Sequence, residues 1–235
     1  MKRNLLAVVL TTTLLCAGCW EDRPKTTTVV LVDATMSIDP AEYERCRLEL
    51  SRLTRQLGRG DRLVLVPITG EPEELLGHRI VHIEMPTERV PYDSNLKKAR
   101  AEAAKTIAEF LADLPNIQAK RTDIIGALRA TAGQFRGEHA QLLCFSDMVE
   151  DDSDLKFTTD PRLATVKSSE ALGEQLARKN TLTGVDVRLG LLKSFDLERM
   201  NASRRDAVQA FWQRYFSAAG ANQVKISVDL KALTE

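Results

Sequence analysis

The stretch Val29-Val30-Leu31-Val32-Asp33-Ala34-Thr35-Met36-Ser37-Ile38-Asp39 decides how this chain is read. Four apolar residues in succession are the pattern of a strand buried on both faces. The run stops at Asp33, and hydroxyls follow at alternate positions, Thr35 and Ser37. A carboxylate and two hydroxyls at the carboxyl end of a buried strand form a cluster of hard oxygen donors, which suits Mg²⁺, Mn²⁺ or Ca²⁺. Ligands of open α/β sheets bind outside the carboxyl ends of the strands. The three side chains therefore make a metal-site candidate where such a sheet takes its ligands.

Outward from this stretch, strands and helices alternate. Asp39 and Pro40 predict a helix start, with Asp39 as cap and Pro40 in the first turn. Tyr43, Cys46, Leu50, Leu53 and Leu57 keep helical spacing until Gly58 and Gly60. Residues 62–68 read as a second strand. A turn-rich segment, 69–77, leads to an alternating third strand over 79–84, antiparallel at the sheet edge because the connection is short. Further helices are predicted over 94–114, 123–135, 168–179 and 203–219, the last capped by Gly220. Further strands are predicted over 141–145, 185–192 and 223–230. The expected fold is α/β: a doubly wound, mostly parallel six-stranded sheet with one antiparallel edge strand and helices on both faces.

This order places the side chains. If the first two strands run upward, the third runs down, the helix over 94–114 climbs and the next descends. The loop holding Thr122 then lies at the top, and the strand over 141–145 rises to deliver Asp147 there. Asp33, Thr35, Ser37, Thr122 and Asp147 thereby reach one rim.

The amino end reads as an address. Lys2 and Arg3 precede a short apolar stretch over 5–15, followed by small residues, the layout of a secretory signal. The apolar stretch is too short for a stable membrane span. The ending Leu15-Cys16-Ala17-Gly18-Cys19 resembles a bacterial lipoprotein signal, in which cleavage follows the small residue and the next cysteine carries lipid. That resemblance implies a signal peptide over 1–18, lipidation at Cys19, and a membrane anchor and tether over 19–27. Cys16 stands where the family usually has Leu. With no Asp after Cys19, the resemblance implies an envelope location: the outer membrane, facing the periplasm, if the source has two membranes. Residues 28–235 are then one domain, long enough for a sizeable core.

Charge excludes one class of partner. The chain carries 33 basic and 33 acidic residues. Loss of Lys2 and Arg3 with the signal leaves it acidic by two charges, and nothing argues for nucleic acid. Cys46 and Cys144, the cysteines beyond the signal and lipid site, are no disulfide framework. They stand as buried thiols or, in an oxidising compartment, as a pair. His78, His82 and His139 lack ligand spacing and read as surface residues. Gly-rich phosphate loops, Cys-x-x-Cys and Gly-x-Ser-x-Gly are absent. The acidic run over 150–154 reads as a solvated loop. On the last long helix, Phe211 and Tyr215 read as core, and Trp212 or Phe216 as part of a docking face.

Three segments together resemble the von Willebrand factor type A domain. Asp33-Ala34-Thr35-Met36-Ser37 is similar to its first motif, Asp-x-Ser-x-Ser, with Thr in the first hydroxyl position. Thr122-Asp123-Ile124 with Ala127-Leu128 is similar to the second, and Phe145-Ser146-Asp147 to the third. The resemblance implies a metal-ion-dependent adhesion site holding one Mg²⁺, Mn²⁺ or Ca²⁺. Ser37 and Thr122 would ligate directly, Asp33 and Asp147 directly or through water, and Thr35 would add a hydroxyl. It also implies a protein partner that donates a carboxylate to the metal. Thr35 adds a methyl group and Met36 a bulky side chain where the family has smaller ones.

The expected function is thus that of a lipid-anchored envelope protein that binds a protein partner and is not an enzyme. Two alternatives stand beside it. One is a metal-free structural domain of an envelope complex. The other is a haloacid-dehalogenase-like phosphatase, which the strand ending in Asp33 and the later Asp147 resemble; there Thr35 replaces the second Asp, and Thr is no general acid near neutral pH.

Overall fold

The apolar run forms the middle of a sheet. A computed structural model describes residues 23–70, 79–117, 119–136 and 139–234. Its strands are β1 (Thr26–Asp33), β2 (Arg62–Ile68), β3 (Val81–Glu84), β4 (His139–Ser146), β5 (Val185–Leu191) and β6 (Gln223–Ser227). They lie in the order β3-β2-β1-β4-β5-β6. Every adjacent pair is parallel except β2 and β3, so the antiparallel strand sits at an edge as expected. β1 begins at Thr26, inside the stretch read as tether. The Thr26 amide donates to the Asp61 carboxylate, and Thr26 and Thr27 pair with His139 and Ala140 of β4.

The helices are α1 (Pro40–Gln56), α2 (Ser94–Ile117), α3 (Ile124–Thr131), α4 (Val166–Leu176), α5 (Phe195–Arg199), α6 (Ala202–Ala218) and α7 (Lys231–Thr234). None of them is long and apolar enough to cross a membrane. The period-two alternation of β1 feeds two cores. Val30 and Val32 pack with Cys46, Leu50 and Leu53 of α1 and Ile107 and Leu111 of α2. Val29 and Leu31 pack on the other face with Ile124 and Leu128 of α3, Leu172 of α4 and Phe211 of α6. Cys46 and Cys144 are both free and buried, and they belong to these opposite cores.

Several boundaries differ from expectation for local reasons. The helix after Asp123 tightens into a 3₁₀ turn over Ala132–Gln134. β6 ends at Ser227, whose hydroxyl accepts from the Asp229 amide in a turn; Leu230 then enters the core ahead of α7. α5 was not expected, although Ser194 caps it by accepting from the Leu197 amide.

The aromatic residues of α6 correct a further expectation. Phe211, Trp212, Tyr215 and Phe216 are all buried, so neither Trp212 nor Phe216 belongs to a docking face. The cause is close cover. α4 approaches α6 so nearly that a Cβ on Gly173 would lie 2.5 Å from the Phe211 carbonyl oxygen. Trp212 also has a partner for its one polar atom: Nε1 donates to the Met148 carbonyl at 2.7 Å. His82 and His139 are exposed. The signal segment, Cys19, His78 and most of the segment over 69–77 lie outside the described residues.

Candidate metal centre

Chain order reverses between β1 and β4. β2 follows β1 on one side, and β4 lies against its other side. Ligands of such sheets bind in the crevice at this switch point. Asp33 ends β1 there, and Ser146 with Asp147 closes β4.

Asp33 is fully buried. Its Oδ1 accepts from the Thr35 amide at 3.0 Å and the Thr35 hydroxyl at 2.6 Å. Its Oδ2 accepts from the Ser146 hydroxyl at 2.7 Å. The Thr35 and Ser37 hydroxyl oxygens are 3.0 Å apart. Thr35 is buried and Ser37 half-buried, so the donor set opens outward at Ser37. Asp147 is buried as well; its Oδ1 accepts from the Val149 amide at 2.8 Å, and the Ser194 hydroxyl bonds the same carboxyl.

Burial sets the electrostatics of this pair. It raises the Asp33 carboxyl above its ordinary range, against the hydrogen bonds from Thr35 and Ser146. Asp147 is pushed up to about 7, first by burial and then by the charge of Asp33. The groups acting most strongly on both are hydroxyls, amides and other carboxylates. Buried acids of this kind are held by protons, by hydrogen bonds or by a cation.

Thr122 arrives by its loop. The Met36 amide donates to the Ala119 carbonyl, and the Asp123 amide to the Thr69 carbonyl just beyond β2. Thr122 and Asp151 exchange backbone hydrogen bonds at 3.1 and 2.9 Å. The structure thus gathers Asp33, Thr35, Ser37 and Asp147 into one group and laces the buried Thr122 onto the same rim.

Three further polar residues lie at or beside this rim: Ser146, Ser194 and Glu150. Ser146 was visible as the residue before Asp147. Ser194 carried no signal, because β5 alone brings it to Asp147. Glu150 stands in a run whose sequence reads as a solvated loop, yet it is fully buried. Leu155 and Phe157 are buried too and draw this loop inward, and Glu150 Oε2 accepts from the Ile124 amide at 3.0 Å. Between them, Met148 holds a left-handed backbone at φ 60. That conformation is costly for a side chain bearing a Cβ. Two bonds hold it: its amide donates to the Ser146 hydroxyl at 2.9 Å, and its carbonyl accepts from Trp212. On the outer surface, Met36 is 68% exposed and Phe195 55% exposed, and the Phe195 amide donates to the Ser37 carbonyl.

No protein-family profile matches the chain, and no curated protein matches it. Solved structures do. The human COPII-coat protein Sec24c is 12% identical, with a TM-score of 0.45 over 87% of this chain and 29% of that one. The manganese-loaded TRAP protein of Plasmodium vivax is 12% identical, with a TM-score of 0.41 over 89% of this chain and 70% of that one. A von Willebrand factor type A protein from Catenulispora acidiphila is 11% identical, with a TM-score of 0.29 over 83% of this chain and 43% of that one. This chain therefore spans less than a third of the Sec24c chain. At these scores the likenesses carry no argument about function. The fold rests on the sheet itself: this is an α/β protein with a six-stranded mixed sheet among its described residues, and von Willebrand factor A domains are among its structural neighbours at low identity.

Proposed function

We propose that this protein is a von Willebrand factor A-like binding module, held at the cell envelope by a lipid on Cys19, that binds a protein partner through one divalent cation on the Asp33 rim. The observation that carries this reading is the pair of buried carboxylates, Asp33 and Asp147, among hydroxyls at the β1/β4 switch point. The donor set fits a hard cation such as Mg²⁺ or Mn²⁺. Ser37 and Thr122 would hold the ion directly. Asp147 would balance its charge. Asp33, with both oxygens already accepting from the protein, would act through water and keep the Thr35 hydroxyl in place. A bound cation supplies an open coordination position, and a partner carboxylate is its natural occupant.

The surroundings suit a protein surface. Exposed Met36 and Phe195 flank Ser37, and an open groove beside Phe195 has apolar walls at Leu192, Leu197 and Val228 and charged ones at Arg45, Lys193 and Arg205. Met, aromatic residues and Arg are enriched at interfaces. The reading is non-catalytic, since Thr35 supplies no general acid. Localisation follows from Cys19: an outer-membrane lipoprotein facing the periplasm, if the source has two membranes.

Two experiments test the reading. Thr122→Ala will leave the fold intact and lower Mg²⁺ affinity at least about tenfold, as losses at metal sites do. Capture of the partner from solubilised membranes will fall in this variant and fall further in wild type with chelator. Capture unchanged by both overturns the metal rim as the binding surface. Cys19→Ser will move the protein out of the membrane fraction, because acyl chains at about 0.8 kcal/mol per buried methylene supply the anchoring. Wild-type fractionation of that variant removes the lipid from the proposal.

A further inference from the structure

Three carboxylates outside the rim set converge beside the Thr122 loop. Asp123, Glu150 and Asp152 each place an oxygen within 4.8 Å of the others. Two of them have ordinary local work. Asp123 accepts from the Gly126 amide as the cap of α3. Asp152 Oδ1 accepts from the Asp154 and Leu155 amides at 2.6 and 2.7 Å. Half-buried acids with such roles need no ligand.

Glu150 differs. It is fully buried, and its Oε1 has no hydrogen-bond partner among the described residues. Its carboxyl faces that of Asp123 within hydrogen-bond reach. Buried polar atoms are nearly always satisfied, and an orphan needs an explanation. Burial acts on this carboxyl first, and the charges of Asp123 and Asp152 act in the same direction; all raise its pKa well above the carboxylate range, against the Ile124 amide alone. Lys156, on the same loop, is paired with Asp151 at 3.4 Å.

We propose that Asp123, Glu150 and Asp152 form a Ca²⁺ site, separate from the Asp33 rim, that fastens the loop over 150–157 to the first turn of α3. Three carboxylates in an irregular, half-enclosed set suit Ca²⁺, which accepts six to eight oxygens in flexible geometry. Mg²⁺ demands a near-ideal octahedron and retains several waters. Asp151, between two of the ligands, holds Thr122 by its backbone. An ion at this place fixes Thr122 from behind while leaving the rim donors free. The inference rests on the orphaned oxygen and stands whether or not the rim binds metal.

The test uses the full chain carrying Asp33→Ala, which disables the rim. Tb³⁺ is the probe, because Trp212 is bonded to Met148 and Tyr215 feels the charges of Glu150 and Asp123. Excitation of these rings will sensitise Tb³⁺ emission, and Ca²⁺ will displace it. Glu150→Gln in the same background will weaken Tb³⁺ and Ca²⁺ binding at least tenfold. If that variant fails to fold, Asp152→Asn serves, since Asn keeps the acceptor for the Asp154 and Leu155 amides. Unchanged affinity in the folded variant overturns the site. Absent emission and no Ca²⁺ retained by the Asp33→Ala chain also overturn it, and assign the cluster a shared proton instead. Failure of the rim reading looks different: Asp33→Ala would then bind as many ions as wild type.

Discussion

Trp212→Ala will lower the stability of the fold by about 3–5 kcal/mol, the range for removing a large buried aromatic side chain. Domains have only about 5–15 kcal/mol in total, so the variant will unfold at markedly lower denaturant. Trp212 is 1% exposed and lies edge-on to Phe211 at 5.0 Å and to Tyr215 at 5.5 Å. Its indole N–H also satisfies the Met148 carbonyl. Trp212→Phe separates the two contributions, because it keeps most of the apolar surface and leaves that carbonyl without its donor. Its cost will be about 1–3 kcal/mol. Loss of the bond also frees Met148 from its left-handed backbone and shifts the adjacent Asp147, so both variants will bind Mg²⁺ more weakly than wild type. Denaturant melts and Mg²⁺ titrations read both effects. A loss under about 1 kcal/mol for Trp212→Ala contradicts its burial and restores α6 as a surface for docking.

Mg²⁺ will raise the melting temperature of the wild type and leave that of Asp33→Ala unmoved. An ion that binds only the folded state at a hundred times its dissociation constant adds about 2.7 kcal/mol. Acid will abolish the response. Asp147 is raised from 3.8 to about 7 in the fold, so the native state holds a proton that the unfolded chain has released. Between those values the native state binds more protons, and stability of the metal-free protein therefore falls as pH rises toward 7. Below the folded pKa a cation must displace that proton, so binding weakens. Melts with Mg²⁺ and with chelator, at about pH 8 and about pH 5.5, will show a large difference at the first and little at the second. An equal Mg²⁺ response in Asp33→Ala places the ion elsewhere.

The parts of this protein that were legible in its sequence are those decided by short-range pattern. The unbroken apolar run of β1, the turn residues around β2 and the cap at Asp39 each carry their own signal, and their order implies the rim. The parts that were not legible depend on distant chain. Thr26 joins β1 only because Asp61 and β4 are there to receive it. Trp212 looks like a surface residue by spacing along α6, and is buried because Gly173 lets α4 close over that helix. The run over 150–154 is hydrophilic, yet Leu155 and Phe157 carry it inward and take Glu150 with them. Ser194 meets Asp147 through β5 alone.

The position of β1 also governs the order in which the protein can assemble. β1, the first strand among the described residues, lies inside the sheet, and Asp33 waits for Ser146, 113 residues later. Until β4 emerges, one flank of β1 has no neighbour, and neither hydrophobic layer can close. Closing so long a loop costs entropy before any contact repays it, and folding dominated by such pairings is slow. The amino-terminal half is therefore not a folding unit. During synthesis it stays an open chain, and the hydrogen-bonded cluster around Asp33 and Asp147 forms only once β4 brings Ser146 and the residues after β5 bring Ser194.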